Sequence, residues 1–181
     1  MAVRKISIVP DPVLTKKAQN IANIGEDEKN LAKDLLDTLA VARDPEGAGI
    51  AATQIGVSKK MCVVRNFFPN PAKPDEFTHE DYVLINPKIV SKSSETEIDY
   101  EGCLSVPGIY GRVERYSKIK VDALNINGER IKIRAEGFFA RTIQHEIDHL
   151  EGILFTERVI GKTVTEEELE RLIEAERQAA K

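Results

Sequence analysis

The sequence predicts an α+β fold, and three observations support this prediction. Helix signals occur in three separate places along the chain, with strand candidates between them. No strand–helix–strand alternation of the kind that builds a parallel sheet is present. An Asn127-Gly128 pair between two segments of alternating apolar residues indicates an antiparallel hairpin. A chain of 181 residues is long enough for one domain with its own core, so residues 1–181 are predicted to form a single domain.

The first half of the chain is predicted to contain one helix and two strands. The helix begins at the acidic residues Glu26–Glu28 and ends near Asp44-Pro45, because proline disfavours a helical conformation in the residue before it. Strands are predicted at Met61–Arg65 and at Tyr82–Val90. The segment Asn66–Pro74 between them contains three prolines, so it is predicted to be a surface loop.

The second half is predicted to contain a hairpin, a further strand and two helices. In chain order they are strands at Lys118–Leu124 and Arg130–Arg134 joined by a type I′ turn, a helix at Phe138–Leu150, a short strand at Ile153–Val159 and a last helix opened by a capping box at Thr165–Glu168. The central helix has no internal proline or glycine and lies between Gly137 and Gly152, which is typical of helix boundaries.

Composition and charge exclude several classes of protein. The 26 basic and 30 acidic residues give a net charge of −4, so no broad cationic surface for DNA is expected. No apolar run approaches the roughly 20 residues that a membrane-spanning helix needs. The N-terminus lacks the features of a signal peptide, and the two cysteines do not suffice for a disulfide scaffold. We therefore expect a cytoplasmic protein with reduced thiols.

The motif His145-Glu146-Ile147-Asp148-His149 is the strongest chemical signal in the sequence. Residues four apart lie one above the other on the same face of a helix, so both imidazoles can reach one metal ion. Glu146 follows the first histidine and can act beside the metal as a proton carrier. The motif therefore predicts a metal site on the central helix.

Two histidines are too few for a metal site, and the residues alone leave the further ligand open. One candidate is Cys103, because thiolate is a strong ligand for zinc and ferrous iron. A second candidate is a glutamate of the last helix, Glu168 or Glu170, as in a zinc endopeptidase. In a third alternative, Cys62 and Cys103 together with the two histidines close a structural zinc site without catalysis. Cys62 itself lies in an apolar strand and is predicted to be an inert core residue.

Three motifs in order, Gly47–Gln54, Glu101–Ser105 and Gln144–Leu150, resemble the peptide deformylase family, and Ile8–Leu14 is similar to the family's N-terminal segment. The resemblance covers most of the chain and implies antiparallel sheets around a central metal-binding helix, with an N-terminal and a C-terminal helix. It also implies the family's activity, which is removal of the formyl group from the initiating N-formylmethionine of nascent bacterial and organellar proteins.

The resemblance further implies a role for each site residue. The implied metal ligands are Cys103, His145 and His149, with water in the fourth position. Glu146 is implied to be the general base and acid, while Gln54 and the backbone N–H of Leu104 are implied to form an oxyanion hole. Gly49 and Gly102 are interpreted as positions where an extended substrate approaches the backbone closely.

The same resemblance implies a cofactor and partners. The expected metal is one Fe2+ per chain, with Zn2+ or Ni2+ as substitutes, and the expected partners are N-formylmethionyl nascent peptides with a transient ribosome association. The acidic last helix differs from the basic C-terminal tails that some members present to ribosomal RNA. The bacterial cytoplasm is the expected compartment, with an organelle stroma as the alternative. Charge alone suggests that Glu101 pairs with Arg115, and Arg141 is expected to point away from the site.

Overall fold

The computed structural model describes residues 2–42 and 47–179. Its three helices are α1 (Glu26–Val41), α2 (Gly137–Glu151) and α3 (Glu166–Ala179). They confirm the three predicted helices, including the start of α1 at its acidic residues, whereas the predicted stop at Asp44-Pro45 lies outside the described residues. No helix in the described part of the chain combines the length and the apolar character needed to cross a membrane.

In the described residues, eight strands form two antiparallel sheets. The strands are β1 (Gly49–Ala51), β2 (Met61–Asn70), β3 (Lys73–Lys92), β4 (Thr96–Cys103), β5 (Val106–Tyr116), β6 (Lys118–Leu124), β7 (Arg130–Glu136) and β8 (Val164–Thr165). One sheet has the strand order β1-β2-β3-β6-β7, and the other has the order β4-β5-β8. All pairings between these strands are antiparallel, so the predicted α+β class is confirmed.

The five-stranded sheet has a helix on each face. Helix α2 packs on one face, where Cys62, Leu84 and Ile143 belong to the same buried cluster. Helix α1 covers the other face, and its Leu35 packs in a second cluster that includes Met61. The alternation of Met61 and Cys62 between the two faces follows the period of a strand. Cys62 is fully buried among apolar side chains, which confirms the prediction that it is a core residue.

Helix α2 ends as the sequence predicts. Gly152 has φ +77°, and its N–H donates to the carbonyl oxygen of His149 at 3.2 Å. A Cβ at this position would lie 2.8 Å from the backbone carbon of Lys16. Glycine is therefore needed both for the left-handed conformation and for the close approach of the N-terminal segment. The motif residues lie within the last two turns before this end.

The proline-rich segment was predicted wrongly. Instead of a loop at Asn66–Pro74, strands β2 and β3 continue outward as a long hairpin in which Phe67 pairs with His79 and Pro69 with Phe77. Its outer part is largely exposed, and the register shifts next to Pro69. Proline is tolerated at such an irregular, solvent-facing position because no ladder hydrogen bond is needed from it.

Two local details also differ from the predictions. In the β6–β7 turn, Gly128 has φ +79° but Asn127 does not share a positive φ, so the predicted type I′ turn is wrong. The bonds Asn125 N–H to Glu129 O and Gly128 N–H to Asn125 O define a longer loop in which glycine alone takes the left-handed conformation. The predicted strand at Ile153–Val159 is a helical turn over Phe155–Arg158.

Candidate active site

The two histidines of α2 face a cysteine from the three-stranded sheet. Cys103 is the last residue of β4, where the pairing with β5 shifts register between Gly102 and Cys103. Its Sγ lies 3.1 Å from Nε2 of His149, and the donor atoms of Cys103, His145 and His149 all lie within 4.8 Å of one another. The structure thus brings together the three residues that the resemblance implies as metal ligands.

His145 is oriented by a carboxylate. Its Nδ1 lies 3.0 Å from Oε2 of Glu101, which leaves Nε2 to face the site. Burial acts to lower the pKa of His145, but its contacts with Cys103 and Glu101 outweigh burial and raise that pKa well above its usual value. Burial lowers the pKa of His149 well below its usual value. The protonated form is therefore favoured at His145 and the neutral form at His149, although the two imidazoles lie one turn apart.

Glu101 is the centre of a buried ion-pair network. Both of its oxygens accept from Arg115 at 2.9 Å, which confirms the predicted pair, and Arg141 of α2 donates to the same carboxylate at 2.9 Å. Burial acts to raise the pKa of Glu101, but the hydrogen bonds from Arg115 and His145 outweigh it and hold that pKa far below its usual range. The expectation that Arg141 points away from the site is wrong, because Arg141 lines the active-site cleft and connects α2 to the carboxylate that orients His145.

The network continues along α2 to Asp148. Asp148 accepts hydrogen bonds from Arg115 of β5 and from Arg158, which lies after the helix. Asp148 is therefore a buried structural partner and lies outside the donor group formed by Cys103 and the histidines.

Glu146 is buried and lines a cleft that Cys103 and His145 also line. Only 3% of the residue is exposed, and its Oε2 has no hydrogen-bond partner within the described residues. Burial raises the pKa of Glu146 to about 7. A carboxyl group with this pKa can both accept and release a proton near neutral pH.

A side-chain amide faces Cys103 from the opposite side. Gln54 is fixed at one end, because its Oε1 accepts the N–H of Ala51 at 2.8 Å. At the other end its Nε2 lies 3.5 Å from Cys103 Sγ and donates to Ser105 Oγ at 3.2 Å. Leu104 lines the cleft between these residues. The amide and the Leu104 backbone therefore border the space beside Cys103.

The N-terminal segment supports both parts of this arrangement. Ser7 N–H donates to the carbonyl of Gln54 at 2.8 Å, and Val9 N–H donates to the carbonyl of Ser105 at 3.0 Å. The chain at Ser7–Val9, where the segment similar to the family's N-terminus begins, thus connects Gln54 to the loop that follows Cys103.

The cleft has a volume of about 740 Å³, and both predicted glycines line it. A Cβ on Gly49 would lie 2.6 Å from Oε1 of Glu146, and a Cβ on Gly102 would lie 2.6 Å from the ring of Tyr110. Each glycine therefore has a packing requirement of its own, and their role in substrate binding stays a prediction. Phe138 also lines the cleft and is 58% exposed.

The alternative ligands lie elsewhere. Cys62 is outside the donor group, which speaks against a closed structural zinc site. Glu168 is occupied at the start of α3, where its carboxylate accepts from the N–H and hydroxyl of Thr165. These bonds confirm the predicted capping box and speak against a zinc endopeptidase that uses this glutamate.

Sequence reasoning missed two parts of the site. Ser105 holds the amide of Gln54, although nothing in the sequence distinguishes it from an ordinary loop serine. Helix α3 lines the cleft with Leu169 and Ile173, which are four residues apart. Their spacing on one face was visible in the sequence, but the surface that they meet was not.

The comparisons with known proteins agree with this geometry. The model of the family described as "Polypeptide deformylase" matches residues 3–164. A peptide deformylase of Natranaerobius thermophilus is 48% identical over 158 residues, which cover 87% of this chain and 93% of the relative. One from Aquifex aeolicus is 44% identical over 160 residues, which cover 88% of this chain and 89% of that relative.

A solved structure shows the same fold. The Met-Ala-Ser-bound class I type b peptide deformylase of Acinetobacter baumannii superposes with a TM-score of 0.76 at 38% identity. The superposition covers 87% of this chain and 99% of the other. With the fold, the Cys103–His145–His149 group and the matched segment in agreement, this chain belongs to the polypeptide deformylase family.

Proposed function

We propose that this chain hydrolyses the formyl amide of N-formylmethionyl nascent peptides, with one divalent metal ion held by Cys103, His145 and His149. The observation that carries the proposal is the grouping of these three donors beside a cleft that Cys103, His145 and the buried Glu146 line. Polypeptide deformylases are metal-dependent hydrolases that remove the formyl group from N-formylmethionine, and membership in the family supports this reaction. The Acinetobacter relative binds Met-Ala-Ser, a peptide with the sequence expected of a deformylated product.

The donor set suits a catalytic metal. One thiolate and two imidazoles give three ligands, and three protein ligands with an open fourth position are typical of catalytic sites. Glu101 accepts from Nδ1 of His145, which favours coordination through Nε2. When bound there, a divalent metal would supply a Lewis acid and would lower the pKa of a water molecule to about 7.

The side chains supply proton transfer and charge stabilisation. Glu146 takes the proton of the attacking water on its unpartnered Oε2 and delivers it to the departing amine. Gln54 Nε2 and the backbone N–H of Leu104 donate to the oxygen of the formyl group as it gains negative charge. Because Ala51 fixes the other end of the Gln54 amide, this donor needs little reorganisation during the reaction.

The proposed resident metal is Fe2+. Thiolate and imidazole are ligands for both iron and zinc, and the resemblance to the family favours iron. Loading one apoprotein preparation with Fe2+, Ni2+ or Zn2+ tests this. Iron and nickel enzymes should release formate fastest. Peroxide should inactivate the iron enzyme by oxidising the side-chain sulfur of Cys103. Equal rates with zinc and iron, both insensitive to peroxide, would refute iron while leaving the ligand set intact.

The proposed setting is the bacterial cytoplasm, because the relatives named above come from bacteria. There the substrate is the formylated end of a newly made chain, which also makes a transient association with the ribosome part of the proposal. Residues 1–181 are proposed to act as one catalytic domain, because α3 also lines the cleft.

The test is formate release from formyl-Met-Ala-Ser, compared with cleavage of an unformylated peptide. Glu146→Gln keeps the shape of the side chain and removes its proton transfer, so activity should fall about 100-fold or more with metal content unchanged. Glu151→Gln is the control, because Glu151 lies on the same helix but pairs with Lys60 outside the cleft. Full activity in the Glu146 variant, or cleavage of unformylated peptides at a comparable rate, would contradict the proposal.

A further inference from the structure

Helix α3 forms a wall of the active-site cleft. It follows directly on β8, whose Val164 and Thr165 pair with Tyr110 and Ile109 of β5. This pairing fixes the start of α3 close to the β4–β5 turn that carries Cys103. The match to the family model ends at residue 164, just before α3 begins.

One face of α3 is turned toward the cleft. Its lining residues are Glu166, Leu169, Ile173 and Glu176. Their spacing of three, four and three residues places them on a single helical face. Leu169 and Ile173 are half-buried, whereas the remaining residues of the helix are exposed. The wall therefore has an apolar middle and a carboxylate at each end.

The free charges of the cleft are acidic. Asp99, Glu166 and Glu176 line it, and none of the three forms an ion pair with a cation in the described ranges 2–42 and 47–179. Arg141 also lines the cleft, but it is buried and bound to Glu101. A peptide that enters this cleft therefore meets uncompensated negative charge beyond the catalytic residues.

The dimensions suit a short extended peptide. Ten residues of helix separate Glu166 from Glu176, which corresponds to about 15 Å of axial rise. An extended chain covers this length with four or five residues, at about 3.4 Å each. The wall is thus long enough to contact the residues that follow the formylmethionine.

We propose that α3 is a specificity element that selects formylated peptides with lysine or arginine in the positions after the first residue. Leu169 and Ile173 contact the apolar parts of these long side chains, and Glu166 and Glu176 attract their charged ends. The inference rests on the proposed function, since it concerns the substrate of the same cleft.

The test compares kcat/KM for formyl-Met-Ala-Lys-Lys, formyl-Met-Ala-Gln-Gln and formyl-Met-Ala-Glu-Glu. The lysine peptide should exceed the glutamine peptide about threefold to tenfold at low salt, because exposed charge pairs are individually weak. The glutamate peptide should be the slowest, and 0.5 M NaCl should remove most of the difference, because the screening length then falls well below 10 Å.

A matched pair of double variants distinguishes the effect of the carboxylates that face the cleft from the effect of net charge. Glu166→Gln with Glu176→Gln should reduce the lysine preference to near one. Glu167→Gln with Glu174→Gln removes the same charge from the other faces of α3, where Glu167 pairs with Arg171 and Glu174 accepts from Gln178, and should keep the preference. Equal preferences in the two double variants, or no preference in the wild type, would overturn the inference. Failure of the wild type to deformylate even the glutamine peptide would instead refute the proposed function.

Discussion

At the scale of single residues, the position of Glu146 depends on a residue without a side chain. Gly49 lies on β1, directly beside the carboxylate, and a Cβ there would lie 2.6 Å from Oε1 and 2.8 Å from Cγ of Glu146. These distances are too short for any side chain, so the carboxylate must move if Gly49 is replaced. Because β1 pairs with β2 in the core, the backbone cannot readily yield in its place.

We therefore expect Gly49→Ala to reduce kcat at least about tenfold, because small misplacements of catalytic groups are costly. Metal content should be close to that of the wild type. Gly25→Ala is a suitable control, since its Cβ would meet only Glu28, at 3.6 Å, and should not affect turnover. Steady-state formate release with metal analysis checks both variants, and an unchanged kcat in Gly49→Ala would show that the contact does not position Glu146.

At the scale of elements, α2 is attached to the three-stranded sheet through Glu101. This carboxylate of β4 accepts from Arg115 of β5 and from Arg141 and His145 of α2. All of these groups are largely shielded from water. Removing a buried carboxylate that binds several charged donors destabilises the protein, because its partners are left unpaired.

Since the folded-state pKa of Glu101 lies far below the ordinary value of 4.5, its contribution to stability is present above about pH 4.5 and is lost as pH falls further. Glu101→Gln should therefore lower the free energy of unfolding by about 3–5 kcal/mol at pH 7. It should also weaken the dependence of that free energy on pH below 4.5. Urea unfolding between pH 3 and 7 measures both quantities. Glu97→Gln, an exposed position on the same strand, should retain the wild-type pH dependence, and an identical slope in the Glu101 variant would contradict this assignment.

The β6–β7 hairpin carries a second electrostatic feature on its exposed face. Lys120 lies directly opposite Arg134, whereas Asp122 lies opposite Lys132. Like charges in directly opposed cross-strand positions destabilise a sheet, and opposite charges stabilise it, by roughly 0.2–1 kcal/mol.

The variants K120E and K132E change the net charge equally but should have opposite effects on stability. K120E places a carboxylate opposite Arg134 and should raise the free energy of unfolding by about 0.2–1 kcal/mol, while K132E opposes Asp122 and should lower it by a similar amount. Urea unfolding at low salt measures the difference. A shift of the same sign in both variants would show that net charge outweighs the local pairing.

The sequence predicted those elements whose determinants are local. Helix α2 is bounded by glycines, and α3 begins with the Thr165–Glu168 capping box, so both were predictable from a few neighbouring residues. The β2–β3 hairpin was not, because its tolerance of Pro69 depends on an edge position that only the folded sheet defines. The turn at Gly128 was recognised as a turn, but its length depends on where the β6–β7 pairing ends.

The site also combines features with local sequence signals and features that depend on the fold. His145 and His149 form a local helical motif, whereas the choice of Cys103 over Glu168 required the family resemblance, because spacing alone left both open. The contact of α3 with the cleft arises from the pairing of β5 with β8, and no local signal in the sequence specifies this pairing.

At the scale of the whole molecule, the metal-donor group connects two sheets. Cys103 belongs to the three-stranded sheet, while the two histidines belong to α2, which packs on the five-stranded sheet. Apart from this group, the described polar connections between α2 and the three-stranded sheet include the ion pairs around Glu101 and Asp148.

Because the donor group connects the two sheets, metal binding should affect local opening of the native state between them. A metal that binds only the closed arrangement stabilises it by mass action, so chelation should selectively destabilise the attachment of the three-stranded sheet. In hydrogen exchange followed by mass spectrometry, amides of β4 and β5 should exchange faster after chelation, while those of β6 and β7 should keep their protection. Uniform acceleration across both sheets would show that they open as one unit. With the expected pattern, occupancy of the site would set how often the loop carrying Cys103 and Leu104 separates from α2, and therefore how fast the site gains or loses its metal.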